Sequence, residues 1–255
     1  MIFRGYHKTV KRTIPAAALM AFVAATSLWL WGRSAPLSAI ARGGEGPPTL
    51  VLLHGYGSRA EDWQQFEEQW QLPAGTRRLY PQAPVRGPFT GQRGWWWLRL
   101  ESYASDGQIA DLSKATPGGI KVASRLVRDL LEDEKQPLIL GGFSQGAMTS
   151  AEIAFQTDQE LAGLILLSGT SVNEEAWAEH FAGRRQLPIF IAHGRNDGVL
   201  AFAIMERFQA RLKGSGMNVT WYPYDGGHGI PDEVIRAISG FVTSVVGLQS
   251  GAGRD

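Results

Sequence analysis

Short apolar runs recur along the chain from residue 49 onward, and glycine, proline or charged residues separate them. Most of these runs are continuously apolar, which is typical of parallel strands that are covered on both faces of a sheet. Each is four to eight residues long, as expected of a strand. The predicted strands are Thr49–Leu53, Arg77–Tyr80, Leu138–Gly142, Leu161–Ser168, Pro188–Ala192 and Asn218–Tyr224.

Stretches with apolar residues at helical spacing lie between and after the predicted strands. The predicted helices are about Arg59–Trp70, Gly118–Glu134, Ala147–Gln156, Leu200–Lys213 and Pro231–Val246. Alternating strands and helices predict an open, doubly wound α/β sheet with helices on both faces, which binds ligands at the carboxyl ends of its strands. The stretch Gln82–Thr116 is rich in proline, glycine and tryptophan, and it predicts a long loop over the sheet edge.

The first 31 residues have the pattern of a targeting segment. A basic stretch precedes the 18 uncharged residues Ile14–Trp31, which would span roughly 27 Å as a helix. The segment is either a signal peptide, cleaved after Ala39–Ala41, or a membrane anchor formed by residues 14–31. Both interpretations predict an extracytoplasmic protein, periplasmic, secreted or anchored. A buried core helix is the third alternative.

The predicted division of the chain follows from these patterns. A flexible linker rich in glycine, serine and proline occupies residues 32–48. One folded α/β domain covers residues 49–249, and a short tail covers 250–255. We find no internal repeat and no second folded domain in the sequence, and nothing in it predicts a particular oligomeric state.

Composition and charge narrow the classes of partner. The chain is 44% hydrophobic and 19% charged, which is typical of a globular protein. Residues 1–42 hold six of the 25 basic residues and no acidic one, so the remaining 19 basic and 24 acidic residues carry a net charge of −5. No nucleic-acid partner is therefore expected. The absence of cysteine excludes thiolate chemistry, and the five histidines show no paired metal-ligand spacing.

The segment Gly142-Phe143-Ser144-Gln145-Gly146 follows an apolar strand and precedes a helix. This is the arrangement of a nucleophile elbow, in which a tight turn exposes a serine hydroxyl above the sheet edge. The two glycines leave space for the strand and the helix to pass closely. The alternative is an ordinary strand-to-helix turn with a capping serine. In the nucleophile-elbow interpretation, Ser144 is the candidate nucleophile.

A serine nucleophile needs a base, and the base needs a carboxylate that orients it. Asp197 and His228 follow the last two predicted strands, so they should meet Ser144 at one sheet edge. The chain order of serine, aspartate and histidine is that of the α/β-hydrolases. Asp225 is a nearby alternative for the acid. We expect the ring of His193 to tie the loop that carries Asp197 to the backbone.

The first predicted strand runs into His54-Gly55-Tyr56-Gly57. A glycine-rich turn at this place can supply one backbone N–H to an oxyanion hole, and the residue after the nucleophile supplies the other. The backbone amides of Tyr56 and Gln145 are the candidates. A plain β-to-α connection is the alternative for this turn.

Three adjacent tryptophans, Trp95, Trp96 and Trp97, lie within the predicted long loop. They could line an apolar acyl pocket or contact a membrane surface. Adjacent residues of an extended segment point to opposite faces, so at least one of them should belong to the core.

Several motifs together resemble the phospholipase/carboxylesterase family of α/β-hydrolases, which includes the acyl-protein thioesterases. They are Leu53-His54-Gly55-Tyr56-Gly57, Tyr80-Pro81-x-Ala83-Pro84, Gly142-Phe143-Ser144-Gln145-Gly146, His193-Gly194-x-x-Asp197 and Gly227-His228. The resemblance implies a compact α/β-hydrolase without a large cap domain and without metal or cofactor. It assigns the catalytic roles to Ser144, Asp197 and His228. The chain departs from the family at Tyr56, where Leu is common, and at Trp95–Leu98, where the family has an aromatic pair followed by Asp.

The leading hypothesis is a serine hydrolase that cleaves small-molecule or lipid-like carboxylic esters, or thioesters, through an acyl-enzyme. A peptidase on the same scaffold is one alternative, because the chemistry is shared. A catalytically silent binding module, anchored at a membrane, is the other.

Overall fold

A computed structural model describes residues 36–86, 92–98 and 109–251 of the protein. The predicted signal peptide or anchor, residues 1–31, lies outside the described residues, as does the tail after residue 251. The described strands are β1 Ala39–Gly43, β2 Thr49–Leu53, β3 Arg77–Pro81, β4 Val85–Arg86, β5 Arg93–Gly94, β6 Leu138–Phe143, β7 Gly163–Leu167, β8 Ile189–Gly194 and β9 Val219–Tyr224.

Five α-helices accompany these strands in the same part of the chain. They are α1 Ile120–Leu131, α2 Gln145–Gln156, α3 Glu174–Ala178, α4 Phe202–Gly214 and α5 Asp232–Gly251. Two further segments, Ala60–Phe66 and Phe181–Arg184, form 3-10 helices.

One twisted sheet contains seven of the described strands, in the order β1-β3-β2-β6-β7-β8-β9. All neighbours run parallel except β1, which pairs antiparallel with β3 at the edge. The short strands β4 and β5 pair with each other in a separate ribbon. Strand order therefore brings the ends of β2, β6, β8 and β9 to the same carboxyl edge of the sheet.

The sheet separates two apolar cores. Along β2, Val51 and Leu53 pack in one core with helices α1 to α4, whereas Leu50 and Leu52 pack in the other. The second core contains the 3-10 helix at 60–66 and α5. Every residue of β2 is buried, because helices cover both faces of the central strand. The predicted doubly wound α/β sheet is confirmed.

The predicted linker at 32–48 needs correction. Ala39–Gly43 forms the edge strand β1, paired with β3 from Ala39 opposite Pro81 to Gly43 opposite Arg77. The compact unit begins at Pro36, not at residue 49. This strand is short and mostly exposed, so its sequence lacks the long apolar run by which the central strands were predicted. The residues that we interpreted as a cleavage site, Ala39–Ala41, belong to this strand.

Other differences from the sequence analysis are local. The first predicted helix is a 3-10 helix limited to Ala60–Phe66, and α2 begins at Gln145, two residues earlier than predicted. The short helix α3 and the ribbon of β4 and β5 were not predicted. Both are too short to show a periodic pattern. The ribbon lies within the predicted loop at 82–116, of which residues 87–91 and 99–108 are not described.

Gly141 provides a test of packing within the sheet. A methyl group added at Gly141 would lie 2.6 Å from Cβ of Ile165 on the neighbouring strand. We expect Gly141→Ala to lower the free energy of unfolding by about 1–3 kcal/mol, measured by urea denaturation, because the core must shift to admit the methyl group.

Gly240→Ala is the matched control. Gly240 lies in α5, and apart from its chain neighbours and the backbone of that helix no atom of the described residues lies within 4 Å of an added methyl group. This change should raise the free energy of unfolding by about 0.5–1 kcal/mol, since alanine favours a helix over glycine. Equal effects of the two substitutions would contradict the close approach of β6 and β7.

Candidate active site

Ser144 occupies a sharp turn between β6 and α2. Its φ is 55° and its ψ is −117°, which is a strained conformation for a residue with a side chain. Its N–H donates to the carbonyl of Leu167 at 2.8 Å, which fixes the turn to the end of β7. A side chain at Gly146 would overlap the carbonyl oxygen of Leu53, and one at Gly142 would overlap the backbone of Gly146. The sharp turn of a nucleophile elbow is possible here because glycine lies two residues before and two residues after the serine.

The three candidate catalytic residues form a continuous chain of hydrogen bonds. The Ser144 hydroxyl lies 3.1 Å from Nε2 of His228, and Nδ1 of His228 lies 2.7 Å from Oδ2 of Asp197. The side chain of Asp197 is fully buried, whereas 17% of the His228 side chain is exposed. With Nδ1–H donated to the carboxylate, Nε2 of His228 is the nitrogen that can accept the serine proton.

Each oxygen of the Asp197 carboxylate accepts hydrogen bonds. Oδ1 accepts from the N–H groups of Val199 and Leu200 at 2.8 and 2.9 Å. Burial raises the pKa of Asp197, but the hydrogen bonds from His193, His228 and Leu200 outweigh it and hold the pKa well below its usual range. The ionised carboxylate therefore stabilises the fold above a pH of about 4, and that contribution is lost as the pH falls towards the folded-state pKa.

His193 is the second histidine at this carboxylate. Its Nε2 lies 3.2 Å from Oδ2 of Asp197 and 3.0 Å from the carbonyl oxygen of Leu200, and its side chain is completely buried. A single N–H at Nε2 can be shared by these two acceptors, while Nδ1 has no hydrogen-bond partner in the described part of the chain. His193 thus ties the acid loop to the backbone, as the sequence analysis expected.

Backbone hydrogen bonds join the loop that carries Asp197 (the acid loop) to the loop that carries His228 (the histidine loop). The N–H of Arg195 donates to the carbonyl of Tyr224, and the N–H of Asn196 donates to the carbonyl of Gly226, both at 2.9 Å. The two loops are thereby held in register directly before Asp197 and His228. In contrast, the carboxylate of Asp225 is 95% exposed and lies 3.8 Å from the guanidinium of Arg195. The side chain of Asp225 is exposed to solvent, and the described part of the chain shows no contact between it and His228.

The turn after β2 passes directly beside the elbow. An added methyl group at Gly55 would lie 3.3 Å from Cβ of Ser144. The candidate oxyanion residue Tyr56 is the next residue along the chain after this point of close approach. Gln145 is the first residue of α2, where backbone N–H groups have no partner within the helix. The turn of Tyr56 and the start of α2 at Gln145 therefore both lie next to Ser144, and the role of their amides in an oxyanion hole stays a prediction.

The side chain of Gln145 has a contact that the sequence analysis missed. Its Oε1 accepts from the N–H of Trp95 at 2.7 Å, and its Nε2 donates to the carbonyl of Trp96 at 2.9 Å. The indole Nε1–H of Trp95 donates to the carbonyl of His54 at 2.8 Å. A fully buried amide thus fixes the tryptophan segment to the elbow. A glutamine after a serine gives no signal in the sequence of what its side chain will contact.

The three tryptophans have different environments. Trp95 and Trp96 are 2% and 3% exposed and pack in the core of helices α1 to α4. Trp97 is 50% exposed. Core packing therefore accounts for two of them. Their assignment to a substrate pocket remains a prediction, since residues 99–108 beside them are not described.

His54 is buried beneath the turn that carries Tyr56. Its Nδ1 lies 2.8 Å from the carbonyl oxygen of Gly55, and its Nε2 accepts from the N–H of Ala83 at 3.1 Å. Burial lowers the pKa of His54 to about 4, so the ring is neutral near pH 7 and keeps an acceptor at Nε2. His54 therefore supports the turn through both ring nitrogens.

A cavity of about 450 Å³ opens beside His228, between the 3-10 helix at 60–66 and the start of α5. The sequence analysis did not predict it, because Trp63 and Phe66 have the spacing of an ordinary core-facing helix. Aromatic rings and carboxylates share its wall. The residues that give the cavity this character are Asp62, Trp63, Phe66, Phe143, His228 and Asp232.

Known proteins resemble this chain over most of its length. Acyl-protein thioesterase 1 of Neurospora crassa is 29% identical over 76% of this chain and 85% of that protein. Acyl-protein thioesterase 1 of Gibberella zeae is 26% identical over 83% of this chain and 95% of that protein. Among solved structures, the esterase PE8 superimposes with a TM-score of 0.67 and 25% identity, covering 83% of this chain and all of that chain.

The comparisons correct one prediction of the sequence analysis. An extracytoplasmic location was expected from residues 1–31, but the relatives that match the folded part are fungal acyl-protein thioesterases, and they contradict it. Within residues 36–86, 92–98 and 109–251, no helix has both the length and the apolar character needed to cross a membrane.

The relatives also confirm the predicted fold and class of protein. The sheet is that of an α/β-hydrolase, with no large cap domain in the described part of the chain, and the relatives identify the protein as a hydrolase of the esterase and thioesterase type. A family model described as phospholipase/carboxylesterase matches residues 38–246. The chain therefore belongs to the phospholipase/carboxylesterase family of α/β-hydrolases.

Proposed function

We propose that the protein hydrolyses carboxylic esters or thioesters through an acyl-enzyme formed on Ser144. The observation that carries this proposal is the hydrogen-bonded chain from Asp197 through His228 to Ser144, at 2.7 and 3.1 Å. The strained turn and the paired loops hold these three groups in place before a substrate arrives, so no large rearrangement is needed for attack.

In the first half of the reaction, His228 accepts the proton of Ser144 while the serine oxygen attacks the carbonyl carbon of the substrate. Asp197 keeps the proton of His228 on Nδ1 and stabilises the imidazolium that forms. The buried carboxylate is suited to this role because its hydrogen bonds hold it ionised. Collapse of the tetrahedral intermediate then transfers the proton from Nε2 to the leaving alcohol or thiol.

The oxyanion of the intermediate would bind the backbone N–H groups of Tyr56 and Gln145. The close approach of the Gly55 turn to Ser144 supports this role, as does the buried side-chain amide of Gln145, which fixes its residue to the tryptophan segment. One such donor lowers the barrier by roughly 2.7–4 kcal/mol in related chemistry. In the second half of the reaction, water attacks the acyl-enzyme along the same path, with His228 again acting as the base.

The substrate class follows from the relatives and the fold. Two of the relatives are named acyl-protein thioesterases and a structural neighbour is named an esterase, so we propose an acyl thioester or a carboxylic ester as the substrate. The relatives do not favour the peptidase or the silent binding module considered from the sequence.

Replacement of the nucleophile tests the proposal directly. We expect Ser144→Ala to lower kcat/KM for short-chain esters and thioesters by at least about 10⁴-fold, since no other group can form the acyl-enzyme. A fluorophosphonate probe should label Ser144 in the wild type and should not label the variant. Ser215→Ala is the control, because this hydroxyl donates to the carbonyl of Arg211 at the end of α4. Unchanged hydrolysis by a folded Ser144→Ala protein would contradict the proposal.

The acid of the triad can be tested by a matched pair of substitutions. Asp197→Asn should lower kcat by about 10⁴-fold, because an amide no longer holds the proton of His228 on Nδ1. Asp225→Asn should leave kcat within about twofold of the wild type, since its carboxylate is exposed and pairs only weakly with Arg195. Steady-state kinetics on one ester measures both. A loss of kcat in Asp225→Asn as large as that in Asp197→Asn would contradict the assignment of Asp197 as the acid.

His193 should act as a positioning residue for Asp197. We expect His193→Leu to lower kcat by about 10- to 100-fold with little change in KM, because a hydrogen bond to a buried charged group is lost. His193→Gln can place an amide N–H near the same acceptor, and it should recover most of that loss. Equal activities of the Leu and Gln variants, both folded by circular dichroism, would show that the donor at His193 has no part in catalysis.

A further inference from the structure

We infer that the cavity beside His228 binds the leaving group of the substrate and that it favours a leaving group bearing an ammonium. This inference rests on the proposed function, because it names the substrate class of the same site. Three independent features support it, namely the position of the cavity, its aromatic wall and its charge.

The position of the cavity assigns it to the leaving group. His228, Phe143 and Gly55 line it, and a methyl group added at Gly55 would lie 3.3 Å from Cβ of Ser144. The leaving oxygen or sulfur must take its proton from Nε2 of His228, so it has to be on the His228 side of the carbonyl carbon. The buried segment of Trp95 and Trp96 forms no part of this wall. A volume of about 450 Å³ is sufficient for a small ligand.

Aromatic rings supply the first chemical feature. Trp63, Phe66 and Phe143 line the cavity, and the rings of Trp63 and Phe66 have centroids 5.9 Å apart. Ring faces attract cations, and groups of such rings are the usual binding sites for quaternary ammonium ions. An ordinary hydrocarbon chain would also fit against these rings, so the rings alone do not select an ammonium.

The charge of the cavity wall favours an ammonium over a hydrocarbon chain. Among the described residues, the cavity wall contains the carboxylates of Asp62 and Asp232 and no lysine or arginine. Asp62 accepts hydrogen bonds from Ser58 and from the N–H of Arg59, and the guanidinium of Arg59 is 4.0 Å away on the exposed side. Asp232 is the first residue of α5 and lines the cavity. A carboxylate or phosphate would be repelled here, whereas an ammonium would be attracted.

The ammonium could belong to a choline-type alcohol or to a lysine side chain next to an S-acylated cysteine. The first arm of the test uses three butyrate esters, whose alcohols are choline, its neutral carbon analogue 3,3-dimethylbutanol and the anionic 2-hydroxyethanesulfonate. The second arm uses S-butyryl cysteine peptides in which the neighbouring residue is lysine or norleucine. Values of kcat/KM are measured for the wild type and for Asp232→Asn, Phe66→Leu and Asp225→Asn.

We expect the wild type to prefer the cationic ester over the neutral one, and the neutral one over the anionic one. Asp232→Asn and Phe66→Leu should each reduce the ratio of cationic to neutral kcat/KM by about three- to fivefold. Asp225→Asn should not change the ratio, because its carboxylate is close to the histidine loop but outside the cavity. Raising the salt concentration should weaken the effect of Asp232. A lysine preference in the peptides, without a choline preference in the esters, would assign the ammonium to a protein substrate.

Equal ratios in the wild type and in Asp232→Asn, or a preference for the anionic ester, would overturn the inference and leave the proposed function intact. A change in acyl-chain preference without a change in the charge ratio would assign the cavity to the acyl group and would also overturn it. If no ester or thioester is hydrolysed and Ser144 is not labelled by fluorophosphonate, the proposed function fails and the inference fails with it.

Discussion

The close approach of three backbone segments at the elbow is the constraint on which the site depends. The turn between β6 and α2 lies against the end of β2, and only glycine at 142 and 146 leaves enough space for it. This contact forces Ser144 into a positive φ and brings the turn of His54 to Tyr56 beside it. A bulkier residue at either glycine would separate the nucleophile from the candidate oxyanion amides at the same time.

The polar half of the site depends on a buried carboxylate. The side chain of Asp197 is removed from water, and hydrogen bonds from two backbone amides and two imidazoles favour its ionised form. The same hydrogen bonds orient the ring of His228. Stability and the proposed catalysis are therefore coupled at this residue, so a substitution that weakens the acid loop should affect both.

The sequence allowed the central strands, the elbow and the order of the candidate triad to be predicted, because long buried strands and glycine-flanked turns leave a local pattern. It did not allow β1 to be recognised, because a five-residue edge strand with three exposed positions has no apolar run. The contact of the Gln145 side chain with Trp95 and Trp96 depends on residues 49 and 50 positions apart. The cavity, similarly, is formed by three parts of the chain that are far apart, namely residues 54–69, Phe143 and residues 228–232, so none of them shows it alone.

The central claim is that hydrolysis passes through an acyl group covalently bound to Ser144. Rapid acid quenching of the wild-type protein during turnover of a butyryl thioester, followed by peptide mass spectrometry, measures this intermediate directly. We expect the mass of one butyryl group on the peptide that contains Ser144, and no such mass on any other serine. Turnover without an adduct on that peptide, or an adduct on a different residue, would contradict the account.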